Sequence, residues 1–266
     1  MKQRIKNIFK AYILLNIHVA LSVVSLYFIF NGFKSNNYLF FLFFSTVLSY
    51  NLIRFISFGG NRFFVKAFFV KYKKTISLFL VLVTVLNIFF YLKLDLIQQV
   101  SLIPLFLITF LYNFEIKVIP KLRQFGLIKI LLVAFVWAGV TVMVPQLHLL
   151  NNHTIWQSLY VFLLVSLLTL GFDQRDILLD ETHLKTIPQR FHNHLRLIYT
   201  VYFITLSLLN MIIFNSLKLF ITEIIIILSV ILSYRSTSHK SFYYTAFWVE
   251  AIPIFWLILF IFLHQL

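Results

Sequence analysis

Cysteine is absent from this 266-residue chain, which excludes disulfides and thiolate metal sites. Charge is scarce as well. Only 12% of residues are charged, against roughly 25% in a soluble domain, so water is not the main solvent for this sequence. Acid is scarcest: the whole chain holds Asp95, Glu115, Asp173, Asp176, Asp180, Glu181, Glu223 and Glu250. There is no soluble basic module, so the net charge of +15 does not point to nucleic acid.

What is present is apolar. Hydrophobic residues make up 61% of the sequence and the mean hydropathy is +0.93. A bilayer core of roughly 30 Å needs about 20 apolar residues per helix. Nine segments qualify, near 11–30, 38–56, 76–91, 96–112, 127–144, 155–170, 195–213, 217–232 and 243–262. Pro104 in the fourth and Pro253 in the ninth predict kinks, because proline leaves a carbonyl without its N–H partner. The basic stretch Lys2 to Lys10 precedes an apolar run too long for a cleaved signal peptide, so it reads as a retained first span. The expectation is one all-α integral membrane domain over residues 1–266, with about nine transmembrane helices.

The cations sort by side. Seventeen Lys and Arg fall at the N-terminus and in the even-numbered connections, whereas the other side holds only Lys34, Lys93 and Lys218. Positive-inside sorting then predicts a multi-pass protein of the cell (inner) membrane, its N-terminus cytoplasmic and its C-terminus on the opposite side. The excess charge reads as topology and as attraction to anionic headgroups of membrane lipid.

Four of the eight acids crowd into positions 173–181, just after the sixth span. Asp173, Asp176 and Asp180 are spaced i, i+3, i+7, so a helix continuing from the span would carry all three on one face. Three such carboxylates repel unless a cation lies between them. Hard oxygen ligands suit Mg²⁺, which commonly bridges carboxylates to substrate phosphates. Arg175 and Lys185 supply cations for phosphate oxygens. Together these features predict a diphosphate site at the cytoplasmic face, with an apolar tail in lipid. Other ionisable residues inside spans are functional suspects by default. Glu223 and Glu250 read as acids that orient or deprotonate an acceptor, or that pair with a neighbouring helix. Asn16, His18 and Asn87 read as interhelical hydrogen bonders, and His192 and His194 as loop residues.

The pattern Asp-x-x-Asp-x-x-x-Asp followed by Lys185-Thr186 resembles the second aspartate motif of the UbiA superfamily of intramembrane prenyltransferases. The stretch from Leu111-Tyr112 through Lys117, Arg123 and Lys129 to Trp137 is similar to that family's fourth connection and following helix. The resemblance implies a UbiA-like ring of helices around a central cavity. It implies an enzyme that moves a prenyl group from a prenyl diphosphate to a lipophilic, aromatic acceptor, with Mg²⁺ assisting diphosphate departure. It assigns Asp173, Asp176 and Asp180 to catalysis and metal binding, and Lys185 to the diphosphate.

The other motif departs from the family pattern. Where the family places Asn-Asp-x-x-Asp-x-x-x-Asp, this chain keeps Asn51 but has Leu52, Phe55 and Gly59 at the aspartate positions. Arg54 lies one turn after Asn51 and is a candidate phosphate contact, with Arg123 and Lys129 as helpers. Two accounts follow: a divergent transferase gripping the donor with one carboxylate half plus cations, or a catalytically impaired relative that binds a lipid or quinone. A small transporter is a third reading, disfavoured because the acids lie at a span end and not at the bilayer midplane.

Overall fold

In hydrocarbon every backbone N–H and C=O must find a partner within the chain, and helices satisfy that requirement locally. The computed structural model describes residues 2–32, 36–56, 63–113, 126–180 and 184–265. Among them there are helices and no strands. In chain order they are α1 (Lys2–Leu14), α2 (Ile17–Asn31), α3 (Asn37–Ile56), α4 (Phe63–Lys71), α5 (Lys73–Tyr91) and α6 (Leu96–Asn113). There follow α7 (Gly126–Ala138), α8 (Asn152–Arg175), α9 (Ile187–Arg190), α10 (Leu195–Ile213), α11 (Ser216–Tyr234) and α12 (Ile252–Gln265). A π-helical turn, Gly139–Met143, extends α7, and a second, Tyr244–Val249, precedes α12.

The surface is apolar where a soluble protein would be polar. Leu78, Val81, Leu82, Val85 and Phe89 form an exposed stripe on α5, and Leu197, Val201, Ile204, Leu208 and Met211 form another on α10. Their three- and four-residue spacing makes each a continuous helix face. Apolar faces of that length belong against lipid, not water. Among the described residues, six helices are long and apolar enough to cross a membrane. The bent pair Ile5–Leu14 and Ile17–Asn31 raises the number to seven if it forms one span, while Leu96–Tyr112 is apolar but shorter. The chain is therefore an all-helical, multi-pass membrane protein; on this count alone the expected nine crossings are not reached.

The middle of the bundle is α8, which packs against α7, α10 and α11. Tyr160, Leu164, Leu167 and Leu170 are fully buried there, alongside Ile225 of α11 and Trp256 of α12. Asn151 begins this helix by accepting the backbone N–H of Thr154 at 2.9 Å, which satisfies one of the otherwise unpaired N–H groups of the first turn. At Gly171 an added Cβ would lie 3.0 Å from the Cα of Ser233. This small-on-small contact brings α8 and α11 close together, as membrane helix interfaces require.

The first span is broken. Asn16 adopts a left-handed φ of 57°, a conformation its short polar side chain tolerates, and α1 and α2 meet at 61°. The break exposes the last carbonyls of α1. Two side chains of α3 cover them: Arg54 donates from Nη1 to Leu14 O at 2.8 Å, and Asn51 donates from Nδ2 to Leu15 O at 2.7 Å. Arg54 and Asn51 thus fasten α3 beneath the kink.

Candidate functional site

A cavity of about 660 Å³ opens between α3, α5, α6, α7, α8 and the stretch that leads into α12. Most of its wall is apolar and aromatic, including Phe41, Leu105, Phe106, Trp137 and Leu168. Its charged lining consists of Arg54, Lys129, Asp173, Arg175, Asp176, Asp180 and Glu250. Arg54 comes from the last turn of α3, Lys129 from the first turn of α7, and the aspartates from the end of α8 and the turn beyond it. With Glu250 from the stretch before α12, five elements thus direct charge into one chamber.

The local geometry differs from the continuing helix that the aspartate spacing predicts. Helix α8 ends at Arg175, and Asp176 is its C-cap. The chain then turns, with Leu179 N and Asp180 N both bonding Asp176 O at 2.7 and 2.8 Å. Asp180 consequently reaches the cavity from a turn and not from a third helical level. What gathers the carboxylates is Lys129, whose Nζ lies 2.5 Å from Asp173 Oδ1 and 3.5 Å from Asp180 Oδ2. Asp173 is only 3% exposed, so its charge needs that partner. Asp176 is held differently, by a two-pronged contact from Arg175 Nε and Nη2 at 2.7 Å each. The Arg175 guanidinium lies between the rings of Phe172 and Phe242, at 5.1 and 5.2 Å from their centroids. Planar stacking of this kind fixes an arginine more firmly than a lysine.

Lys129, expected only as a helper for phosphate, is therefore also the resident counter-ion of the acid cluster. A signal for this was present in the sequence. A lone cation early in an apolar span needs an anion at its own depth, and the acids at the end of the following span, α8, supply one.

The other expected site residues separate. Arg54 lines the cavity while holding α1. Asn51 does not line it; the Asn51 side chain is buried and donates to Leu15 O and Val47 O. Lys185 is exposed, has a left-handed φ of 49°, and borders a separate shallow pocket with Ile177, Pro188 and His192. Arg123 lies outside the described residues, as do Lys117 and Gly59. Glu223 accepts from Ser207 at 2.6 Å and from Asn210 at 2.9 Å, which pairs α11 with α10. His18 bonds Tyr12 and the Phe247 carbonyl, and Asn87 donates to Phe41 O. His192 and His194 are exposed.

For a divalent cation, the donor set is partial but specific. Among the described residues no three His, Cys, Asp or Glu side chains gather as a ready-made metal cage. Asp173 Oδ2 and Asp180 Oδ2, however, are buried oxygens that accept no hydrogen bond. Mg²⁺ retains water and often takes only one or two carboxylates plus substrate phosphate. The two oxygens suit that mode. Opposite them, Tyr50 OH accepts the indole N–H of Trp137 at 3.1 Å, which fixes two aromatic faces of the chamber. Comparisons with protein-family models, with curated proteins and with solved structures found no match to this chain.

Proposed function

We propose that the chain is an intramembrane prenyltransferase-like protein of UbiA type. In this reading it transfers a prenyl group from a prenyl diphosphate to a lipophilic, aromatic acceptor. One observation carries the proposal: a largely apolar chamber, within a fold that presents apolar faces to lipid, contains three cations and three aspartates. Such a chamber suits an amphiphile whose anionic head meets the charges while its tail lies among Phe41, Leu105 and Phe106. Counting α3 and α6 as spans alongside the longer helices gives nine crossings, and the cation asymmetry places the charged end at the cytoplasmic face of the cell (inner) membrane.

The residues divide the work. Arg54, Arg175 and Lys129 face the diphosphate, and Arg175 and Lys129 are already fixed by the aspartates they pair with. Preorganised cations of this kind stabilise charge as it develops on a leaving group. Asp173 and Asp180 would hold Mg²⁺ through their Oδ2 atoms, with Lys129, the ion-pair partner of Asp180 Oδ2, yielding part of its place, and the metal would supply charge neutralisation for the departing diphosphate. Tyr50, Trp137, Phe172 and Phe242 present ring faces that stabilise an allylic cation, and the apolar wall keeps water from capturing it.

A second reading draws on the same geometry. Every aspartate of the cluster has an internal cation close by, and the first-motif positions hold Leu52, Phe55 and Gly59. A chamber so balanced can bind a lipid or quinone without reacting. Purified protein in lipid nanodiscs, titrated with geranylgeranyl diphosphate with and without Mg²⁺, separates the two. The transferase reading expects binding that tightens with Mg²⁺ and diphosphate release that falls about 100-fold in Asp173→Asn. Binding of long-chain quinone with no affinity for the diphosphate overturns it. Arg54→Leu is expected to weaken donor binding by about tenfold, the scale of one lost charge-assisted hydrogen bond. Unchanged affinity would confine Arg54 to its role beneath the kink.

A further inference from the structure

Glu250 is an acid in the wall of the same chamber that the donor chemistry leaves unused. It is far in sequence from the aspartate cluster and belongs to a different element, the junction between the π-helical turn Tyr244–Val249 and α12. Three features fix this junction. The π turn inserts an extra residue and shifts the register of everything after it. Pro253 lacks an N–H, so the junction cannot close as a regular helix. Helix α2 covers the irregular backbone from outside the chamber: His18 Nε2 bonds Phe247 O at 3.0 Å, and Ser22 Oγ donates to the backbone carbonyl of Glu250 itself. His18 and Ser22 are four residues apart and so share one face of α2. The backbone of Glu250 is thereby held by a neighbouring helix, and its side chain is left to the cavity.

The surroundings of Glu250 are also specific. Burial is the largest influence on its carboxyl, and among the described residues Arg54 and Arg175, both in the chamber's lining, are the cations that act on it. Tyr50 and Tyr12 are the phenols within its electrostatic reach. From Phe242, which touches the Arg175 guanidinium, the chain runs eight residues further to Glu250, roughly 12 Å along a helix axis. Glu250 belongs to neither the Lys129 nor the Arg175 ion pair that holds the aspartates, so the metal and diphosphate chemistry assigned to them gives it no role. It can serve a neutral molecule that must lose a proton.

We infer that Glu250 is the acceptor-side carboxylate of this chamber: it accepts a hydrogen bond from the hydroxyl of a phenolic acceptor and takes up the proton released on transfer. The inference rests on the donor reading above. The step balances as follows. The allylic C–O bond breaks and its electron pair leaves with the diphosphate. The acceptor supplies the pair for the new bond to the prenyl carbon, and the phenolic proton passes to the Glu250 carboxylate. No oxidant or reductant is involved. Such a contact is made by the acceptor, so its loss should weaken acceptor binding and turnover; donor affinity should not fall, because removing a carboxylate near Arg54 and Arg175 leaves those cations at least as available to a diphosphate.

Nanodisc-embedded wild type, Glu250→Gln and Glu250→Asp would be titrated with geranylgeranyl thiolodiphosphate, an unreactive donor, and with 2-naphthol as the phenolic probe. The expected result is thiolodiphosphate affinity no lower in either variant than in wild type, with 2-naphthol affinity reduced about tenfold in Glu250→Gln and partly restored in Glu250→Asp. Equal 2-naphthol affinity in wild type and Glu250→Gln, or no 2-naphthol binding by wild type, overturns the inference while leaving the donor reading intact. Loss of both ligands in Glu250→Gln also overturns it and assigns the residue to the fold. Failure of wild type to bind the thiolodiphosphate removes the donor reading itself.

Discussion

Lys129→Met is expected to destabilise the protein by about 3–5 kcal/mol, the scale of removing one partner from a buried ion pair. The reason is the burial of what remains. Asp173 is almost fully enclosed, and Lys129 Nζ is its ion-pair partner, at 2.5 Å; the same ammonium approaches Asp180 at 3.5 Å. Removing it leaves anionic oxygens close together in a low-dielectric wall, where both desolvation and mutual repulsion oppose folding. The double variant Lys129→Met with Asp173→Asn should recover most of that loss, because the second change removes the stranded charge. Unfolding followed by denaturant or heat in nanodiscs, for wild type, both single variants and the double, closes the cycle. Additive effects would show that Lys129 and Asp173 do not depend on each other, and the resident counter-ion would have to be sought elsewhere. The contrast with Mg²⁺ is informative too: if the metal binds Asp173 Oδ2 and Asp180 Oδ2, it should stabilise the Lys129→Met protein more than wild type.

Gly126→Ala is expected to cost about 1–3 kcal/mol through overpacking and, unlike most surface-end changes, to weaken the charged site as well. A Cβ at Gly126 would lie 2.5 Å from Leu184 O, 2.7 Å from Thr186 Cα and 2.8 Å from Thr186 N. All three are backbone atoms, so no rotamer change relieves the clash. The segment they belong to is tied onward. Thr186 N donates to Gln189 Oε1 at 3.0 Å, and Gln189 Nε2 donates to Asp180 O at 3.1 Å. Gly126 therefore lets the start of α7, one helical turn before Lys129, rest directly on the backbone of Leu184 and Thr186, which Gln189 ties to Asp180. Displacing that contact should loosen the Lys129–Asp180 pairing and lower donor affinity together with stability. Gly139→Ala is the control, since its added Cβ would meet only the flexible side chain of Leu105. A smaller loss of stability there would separate the backbone clash at Gly126 from a general intolerance of bulk. Equal losses at the two positions would count against the coupling.

The membrane class, the helical fold and the neighbourhood of the acid cluster were legible along the chain, because each depends on a local pattern. Apolar run length reports a lipid environment through the thickness of the bilayer, and a cluster of acids in a chain that otherwise avoids them reports a site through its rarity. Asp173, Asp176 and Asp180 do enter one chamber, and Arg54 does share it. The means by which they meet were not legible. Helix α8 stops at Arg175, so helical spacing does not aim Asp180; Lys129, forty-four residues before Asp173 in the chain, does. Similarly, Asn51 matches a motif position, yet its side chain serves the exposed carbonyl of a kink at Leu15, a feature that exists only because Asn16 breaks the first span.

By itself, then, the sequence determined the solvent of this protein and the inventory of charges available to it, since both follow from composition and from how far each apolar run extends. Tertiary structure alone decided which charges are neighbours. Helix ends, kinks and π turns set the direction of each side chain, and those are settled by backbone hydrogen bonds between elements distant in sequence. Glu250 illustrates the division: an acid in an apolar span is evident by inspection, but its placement in the chamber wall is fixed by a π turn, a proline and two side chains of α2 more than two hundred residues earlier.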